Sequence, residues 1–275
     1  KKKNIPVVYY ICPKAWVWGK WRAKAIAGWV NKVAAIFPFE AEIYRQAGAS
    51  VEFVGHPLLD IVHSTMDRQE AYRYFGADPQ RPLLLLLPGS RYQEVESLLE
   101  LMLASARKVQ EQIPDCQFFL PVAPTIPLER IESVVKASGV SVIFTRNSTY
   151  NLMQIADCAI AASGTVTLEA ALMELPSVIV YRVKTATYWL IRLVANVSHV
   201  GLPNIVSGRR ILPELIQDEA TSANVSQAAL RLLQDPAVRQ QARSDIKQVR
   251  INLGQPGAVL RVAKIVLVVA AGGKS

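Results

Sequence analysis

Short apolar runs recur along the chain at strand length: VVYYI, a short strand and turn within VAAIFPFE, VEFVG, QFFLPVA, VSVIF, CAIAA and SVIVYR. Between them lie longer stretches whose apolar positions return with helical spacing, among them EAEIYRQAG, LERIESVVKASG, TYNLMQIA and TVTLEAALME. The densest run is RPLLLLLPGSR, with Pro82 and Pro88 bounding five leucines. Such a run suits a strand buried on both faces of a parallel sheet. A helix is predicted after it, over about 94–112. Strands alternating with helices predict parallel sheets joined by right-handed crossovers, an α/β fold.

The same reading predicts a helix near 19–34 and a polar linker containing a helix over 64–82. It also predicts a helix near 185–195 and a loop plus helix over LPNIVSGRRILPELIQ. Three further helices are predicted over 222–234, 236–254 and about 257–271. The pattern breaks near 56–64. The part before the break reads as the end of one α/β domain, and the part after it as a complete second one. The predicted division is 1–58, 59–250 and a final helical segment 251–275.

Composition agrees with an ordered chain. Hydrophobic residues make up 51% and charged residues 19% of 275 positions, enough for a large core in one large or two ordinary domains. Cys12, Cys116 and Cys158 are far apart and odd in number, so they suggest neither a disulfide framework nor a metal site, and they fit a reducing compartment. No uncharged apolar run reaches the roughly 18 residues of a membrane span. The chain opens on Lys1 with KKKNIPVVYYICP, which reads as a helix tail entering a strand, so an N-terminal portion is expected to be missing.

Charge changes the picture at one place. The net charge is +9, yet residues 1–32 hold seven Lys, one Arg and no acid. The same segment carries Trp16, Trp18, Trp21 and Trp29. Basic residues interleaved with Trp suit an anionic membrane surface, with Lys14, Trp16, Trp18, Lys20, Trp21 and Lys24 as the contacts. Nucleic acid is a weaker alternative. A solvated cationic helix whose Trp residues pack on another domain explains the same composition.

Ligands of open parallel sheets bind at the carboxyl ends of the strands. Two corners of that kind stand out. In LLLLLPGSRYQEVE, Gly89 and Ser90 turn the chain and Arg91 follows, whose guanidinium can grip a phosphate with paired donors. In IAASGTVTLEAAL, Ser163 or Thr165 can cap a helix. Gly164 lets the backbone approach a phosphate, and Glu169 one turn on can accept from sugar hydroxyls. Each corner alone is also ordinary turn chemistry. A further loop, GLPNIVSGRRILPE, offers Asn204, Arg209 and Glu214. There is no Gly-x-Gly-x-x-Gly, no P-loop, no nucleophile elbow and no Asp-x-Asp pair. His56, His63 and His199 lack ligand spacing. A phosphorylated, hydroxyl-rich ligand such as a nucleotide sugar is left.

The stretches YYICPKAWVW, FPFEAEIY, VEFVGHPLLD, LLLLLPGSRYQEVE, ASGTVTLEAAL, YRVKTATYWL and GLPNIVSGRRILPELIQ come in an order that resembles lipid-A-disaccharide synthases, GT-B glycosyltransferases. The resemblance implies two Rossmann-like domains, with 1–58 the remainder of the acceptor domain, 59–250 the donor domain and 251–275 a helix returning to the acceptor domain. It implies transfer of 2,3-diacylglucosamine from its UDP donor to 2,3-diacylglucosamine 1-phosphate (lipid X), inverting and without metal or other cofactor. It also implies a peripheral location on the cytoplasmic face of the inner membrane. Gly89, Ser90, Arg91, Ser163, Gly164, Thr165, Glu169, Asn204 and Glu214 match its UDP-binding elements. Its catalytic base is expected upstream of Lys1, and Cys12 stands where the family usually has serine. A UDP-sugar 2-epimerase on the same fold and a non-catalytic UDP-binding module are the alternatives. Acyl-chain preference and oligomeric state are not legible in the sequence.

Overall fold

A computed structural model describes residues 5–12, 20–183 and 198–272. The helix expected near 185–195, together with Lys14, Trp16, Trp18 and the side chain of Lys20, lies outside the described residues. Two compact units result. One is formed by the described residues of 1–61 and 250–272 with Ser198, the other by those of 62–183 and 199–249.

The first unit opens with β1 (Val8–Tyr10), α1 (Lys20–Ala27), β2 (Lys32–Ala35), α2 (Pro38–Gln46), β3 (Val51–Phe53) and α3 (Leu58–Ile61). The three strands run parallel in the order β1-β2-β3. The helix expected over 19–34 stops at Ala27. Val33, Ala34 and Ala35 are wholly buried, with Val33 paired to Tyr9 on one side and Val51 on the other. Central-strand burial outweighs the helix propensity of the Ala-rich segment. Ala23, Ile26, Ala41 and Tyr44 close over this sheet. Glu40, in the first turn of α2, is buried and accepts from the Ile36 N–H at 3.4 Å, in the manner of a capping box. Burial pushes its carboxyl up to about 7, against the opposing pull of the Ile36 and Phe37 backbone donors.

The second unit continues as α4 (Arg68–Phe75), β4 (Leu83–Leu87), α5 (Tyr92–Gln112), β5 (Gln117–Pro121), α6 (Leu128–Ser138), β6 (Val142–Thr145), α7 (Thr149–Ile155), β7 (Cys158–Ala162), α8 (Thr165–Leu172), β8 (Ser177–Tyr181), α9 (Leu202–Ser207), β9 (Glu214–Ile216), α10 (Ser222–Gln234) and α11 (Pro236–Asn252). Its six strands are parallel in the order β6-β5-β4-β7-β8-β9. All five leucines of β4 are buried, none more than 4% exposed. The chain leaves β4 outward through β5 and β6, then returns to β7 and runs outward on the other side. That reversal makes the β4–β7 seam the topological switch point.

A further element also differs from the sequence expectation. Where a loop followed by a helix is expected over 202–217, the helix comes first, at Leu202–Ser207, and stops at Gly208, whose φ is 64°. Residues Glu214–Ile216 form β9, paired with β8. Three residues after a proline carry too little periodicity to announce a strand.

The chain ends in α12 (Ala258–Ala270), which packs on β1 and β2 of the first unit. Gly257 donates to Asp60 at 2.6 Å, and the Arg261 guanidinium donates to the carbonyls of Val54 and Pro256 at 2.8 and 2.9 Å. Cys12, Cys116 and Cys158 are all buried and free.

Candidate functional site

The two corners singled out in sequence leave the ends of adjacent strands. Leu87, the last residue of β4, is the register partner of Ala161 in β7. Gly89–Arg91 and Ser163–Thr165 therefore lie side by side at the carboxyl edge of the switch point, where open α/β sheets bind ligands.

At the first corner, Gly89 has φ 111°, and a β-carbon there would come within 2.5 Å of the Glu94 carboxylate. Only glycine makes this turn without strain. The Ser90 carbonyl accepts from Thr125 at 3.0 Å, which ties the turn to the β5–α6 loop. Arg91 precedes α5 and pairs with Glu94 at 2.8 Å. Its side chain remains 82% exposed, so the guanidinium can exchange that partner for an anion at small cost.

At the second corner the expected cap is absent. Gly164 itself is the N-cap of α8, and no side chain bonds the first turn. Ser163 instead donates its hydroxyl to the Val200 carbonyl at 3.0 Å, and Thr167 donates to the Gly164 carbonyl at 2.7 Å. The Thr167 N–H donates to the Gly164 carbonyl at 3.2 Å, and the N–H groups of Thr165 and Val166 open the helix without an intrahelical partner, at the positive end of its dipole. Thr165 is exposed beside them, and nothing lies within 4 Å of a β-carbon built on Gly164. A bulky anion can approach this backbone closely.

Glu169 sits in the second turn of α8 and is half-buried. With His63, Thr65, Ser148, Thr149, Tyr150 and Asn151 it lines a cleft of about 390 Å³. The Tyr150 hydroxyl donates to its Oε1 at 3.0 Å. Burial raises the Glu169 carboxyl, and the Tyr150 hydrogen bond opposes that rise. Burial and the neighbouring carboxylate push Tyr150 itself up to about 12, so it stays a donor. Asn151 braces the cleft floor. Its Oδ1 accepts from the N–H groups of Thr65 and Met66 at 2.7 and 3.1 Å, and its Nδ2 donates to Thr65 Oγ1 at 3.0 Å.

Sequence reasoning missed Tyr150, Asn151 and Thr65. The only trace was the polar cluster Ser148-Thr149-Tyr150-Asn151 opening a helix at the same sheet edge. Thr65 is distant in sequence, and it is joined to this cluster by its bonds to Asn151.

Asn204 and Glu214 take up a different place from the corners. Asn204 is wholly buried. Its Nδ2 donates to the Leu212 carbonyl and to Glu214 Oε1 at 2.9 and 2.7 Å, and its Oδ1 accepts from the N–H groups of Ile211 and Leu212, both at 2.9 Å. All four of its hydrogen-bonding positions are used inside the fold. Glu214, 5% exposed, also accepts from the N–H groups of Gly201 at 2.9 Å and Val200 at 3.1 Å. Arg209 pairs with Asp245 at 2.5 Å on the surface. In the first unit, Trp21 is 69% exposed with Arg22 over its ring at 5.6 Å, and Lys24 is exposed. Among the described residues, no group of three or more His, Cys, Asp or Glu could hold a metal ion, and no helix is long and apolar enough to cross a membrane.

Parallel sheets with anion-ready corners at a switch point place the molecule in the GT-B class of α/β proteins. Solved structures share this fold, among them the following two. UDP-GlcNAc 2-epimerase from Neisseria meningitidis bound to UDP-GlcNAc superposes with a TM-score of 0.59 at 10% identity, covering 86% of this chain and 62% of that one. A glycosyltransferase from Rickettsia africae gives 0.58 at 10% identity, covering 95% and 69%. The model of the lipid-A-disaccharide synthetase family matches residues 1–269, and the chain belongs to that family of glycosyltransferases. The lipid-A-disaccharide synthase of Geobacter sulfurreducens is 43% identical over 267 residues, which is 97% of this chain and 70% of that protein.

Proposed function

We propose that the β4–β7 edge holds the nucleotide of UDP-2,3-diacylglucosamine, and that the chain takes part in transferring this sugar to the 6-hydroxyl of lipid X. The observation that carries the reading is the juxtaposition on neighbouring strands of Arg91 and the bare N-terminus of α8, beside the Glu169–Tyr150 cleft. In this reading the diphosphate lies against Gly89, Ser90 and Arg91 on one side and the backbone N–H groups of Gly164 and Thr165 on the other. The nucleoside enters the cleft, where Glu169 accepts from ribose hydroxyls with the lone pairs Tyr150 leaves open.

The chemistry follows from charge. As the glycosidic bond breaks, negative charge grows on the departing diphosphate. The Arg91 guanidinium, once it exchanges Glu94 for the diphosphate, and the fixed helix dipole stabilise the developing anion. Ser163, Asn204 and Glu214 enter as supports of this edge rather than as ligands.

The exposed Trp21 and Lys24 on α1 support contact with an anionic membrane on its cytoplasmic face, where acylated substrates would be met.

The test is UDP release from UDP-2,3-diacylglucosamine with lipid X as acceptor, measured on a protein that carries this sequence together with the part of the relatives' length that lies outside the match. Release that depends on both substrates, and that falls at least tenfold in Arg91→Ala, is expected. Conversion of UDP-N-acetylglucosamine to its 2-epimer in place of acyl-sugar transfer would overturn the reading.

A further inference from the structure

We infer that Asn204 and Glu214 are positioning residues that set the phosphate corner through the His199–Gly201 segment; this rests on the UDP reading of that corner. The contacts form a chain. Asn204 donates to Glu214 Oε1 at 2.7 Å, and Glu214 Oε1 and Oε2 accept from the N–H groups of Gly201 and Val200 at 2.9 and 3.1 Å. The carbonyl of Val200 in turn accepts from the Ser163 hydroxyl at 3.0 Å. Ser163 immediately precedes Gly164, the N-cap of α8.

Each link is constrained. Glu214 is held in β9 by its register with Ile179 in β8, and Asn204 is held in α9 by the N–H groups of Ile211 and Leu212. A β-carbon at Gly201 would clash with Ile179 Cδ1 and come to 3.0 Å from Glu214 Oε1, so the segment packs closely on both β8 and the carboxylate. His199 stands at the end of the chain of contacts, its Nδ1 4.0 Å from Glu214 Oε2.

The arrangement explains why the Ser163 hydroxyl is turned away from the helix it precedes. Its proton is committed to Val200, which fixes the peptide that presents the Gly164 and Thr165 N–H groups. Glu214 faces three donors: two backbone N–H groups and one amide. A glutamine there must present its own NH2 to one of them, and a buried donor facing a donor is left unsatisfied. The displaced segment then releases Ser163, and the anion-binding backbone loses its geometry although no residue touching the ligand has changed.

A double-mutant cycle on UDP affinity tests this, with calorimetric titration of UDP into the 275-residue chain. Glu214→Gln is expected to weaken UDP about tenfold, and Ser163→Ala to weaken it by a smaller factor. The combined variant should be no weaker than Glu214→Gln alone, because both break the same line of contacts. Should Glu214→Gln fail to fold, Glu214→Asp takes its place in the same cycle, with an intermediate loss. Melting temperatures recorded in parallel report general destabilisation, which would not produce this coupling. Independent, multiplying losses overturn the inference. So does a Glu214→Gln loss that shrinks when 2′-deoxyuridine diphosphate replaces UDP, since that result marks direct contact with the ribose. A parent chain that binds no UDP instead sinks the nucleotide reading itself.

Discussion

Individual residues show where sequence and structure part. Gly89 was legible because a glycine between a buried strand and a helix is ordinary turn punctuation. Its φ of 111° and the nearby Glu94 carboxylate explain why the position is demanding. Gly89→Ala is expected to lower stability by about 1–2 kcal/mol, from left-handed strain before any steric cost is added. Denaturant unfolding measures it, and an unchanged midpoint would contradict the geometry. Ser163 reads as a cap because Ser before a helix usually is one, but its hydroxyl finds Val200, 37 residues away in sequence. No local pattern encodes such a partner. The Glu169–Tyr150 pair gives a pH prediction. Burial raises Glu169, and only its ionised form accepts fully from ribose hydroxyls. UDP affinity should therefore fall as pH drops through a midpoint above the usual carboxylate range. Tyr150→Phe removes a hydrogen bond that favours the charged form, so the midpoint should move to higher pH. Titrations from acid to neutral pH that show no shift between parent and variant would count against the pair.

Among whole elements, strong periodicity was legible, and β1 and β3 were legible as short apolar runs, but β9 was not. Five consecutive leucines announced β4, and all five are buried. Leu85→Ala should destabilise by about 2–5 kcal/mol, the loss for a fully buried leucine whose cavity cannot collapse. Urea unfolding checks this, and a loss under about 1 kcal/mol would mean that the strand tolerates a void. β9 escaped because Glu214–Ile216 is too short to show alternation and gains its strand character only from pairing with β8. The overrun of α1 into β2 has the same origin, since Val33–Ala35 is strand-forming only when both neighbours are present. The basic, Trp-bearing segment carries its own prediction. Neutralising Lys14, Lys20 and Lys24 together should reduce sedimentation with vesicles containing anionic lipid, and more so at low ionic strength. Equal sedimentation of parent and variant would remove the membrane reading.

The whole molecule is two parallel α/β units, and its switch point lies between β4 and β7. The alternation of strands and helices made the class legible, and the order of motifs made the family legible. Strand order, by contrast, is a property of pairing that a single sequence does not display, so the adjacency of the two corners had to come from the structure. That adjacency is the central claim: Arg91 and the N-terminus of α8 grip one diphosphate together. Calorimetric titration of UDP and of uridine into parent and Arg91→Ala chains tests it most directly. The account predicts that the parent prefers UDP to uridine, and that Arg91→Ala loses about tenfold or more for UDP while its uridine affinity stays the same. Equal UDP affinity in parent and variant, or equal losses for UDP and uridine, would contradict it.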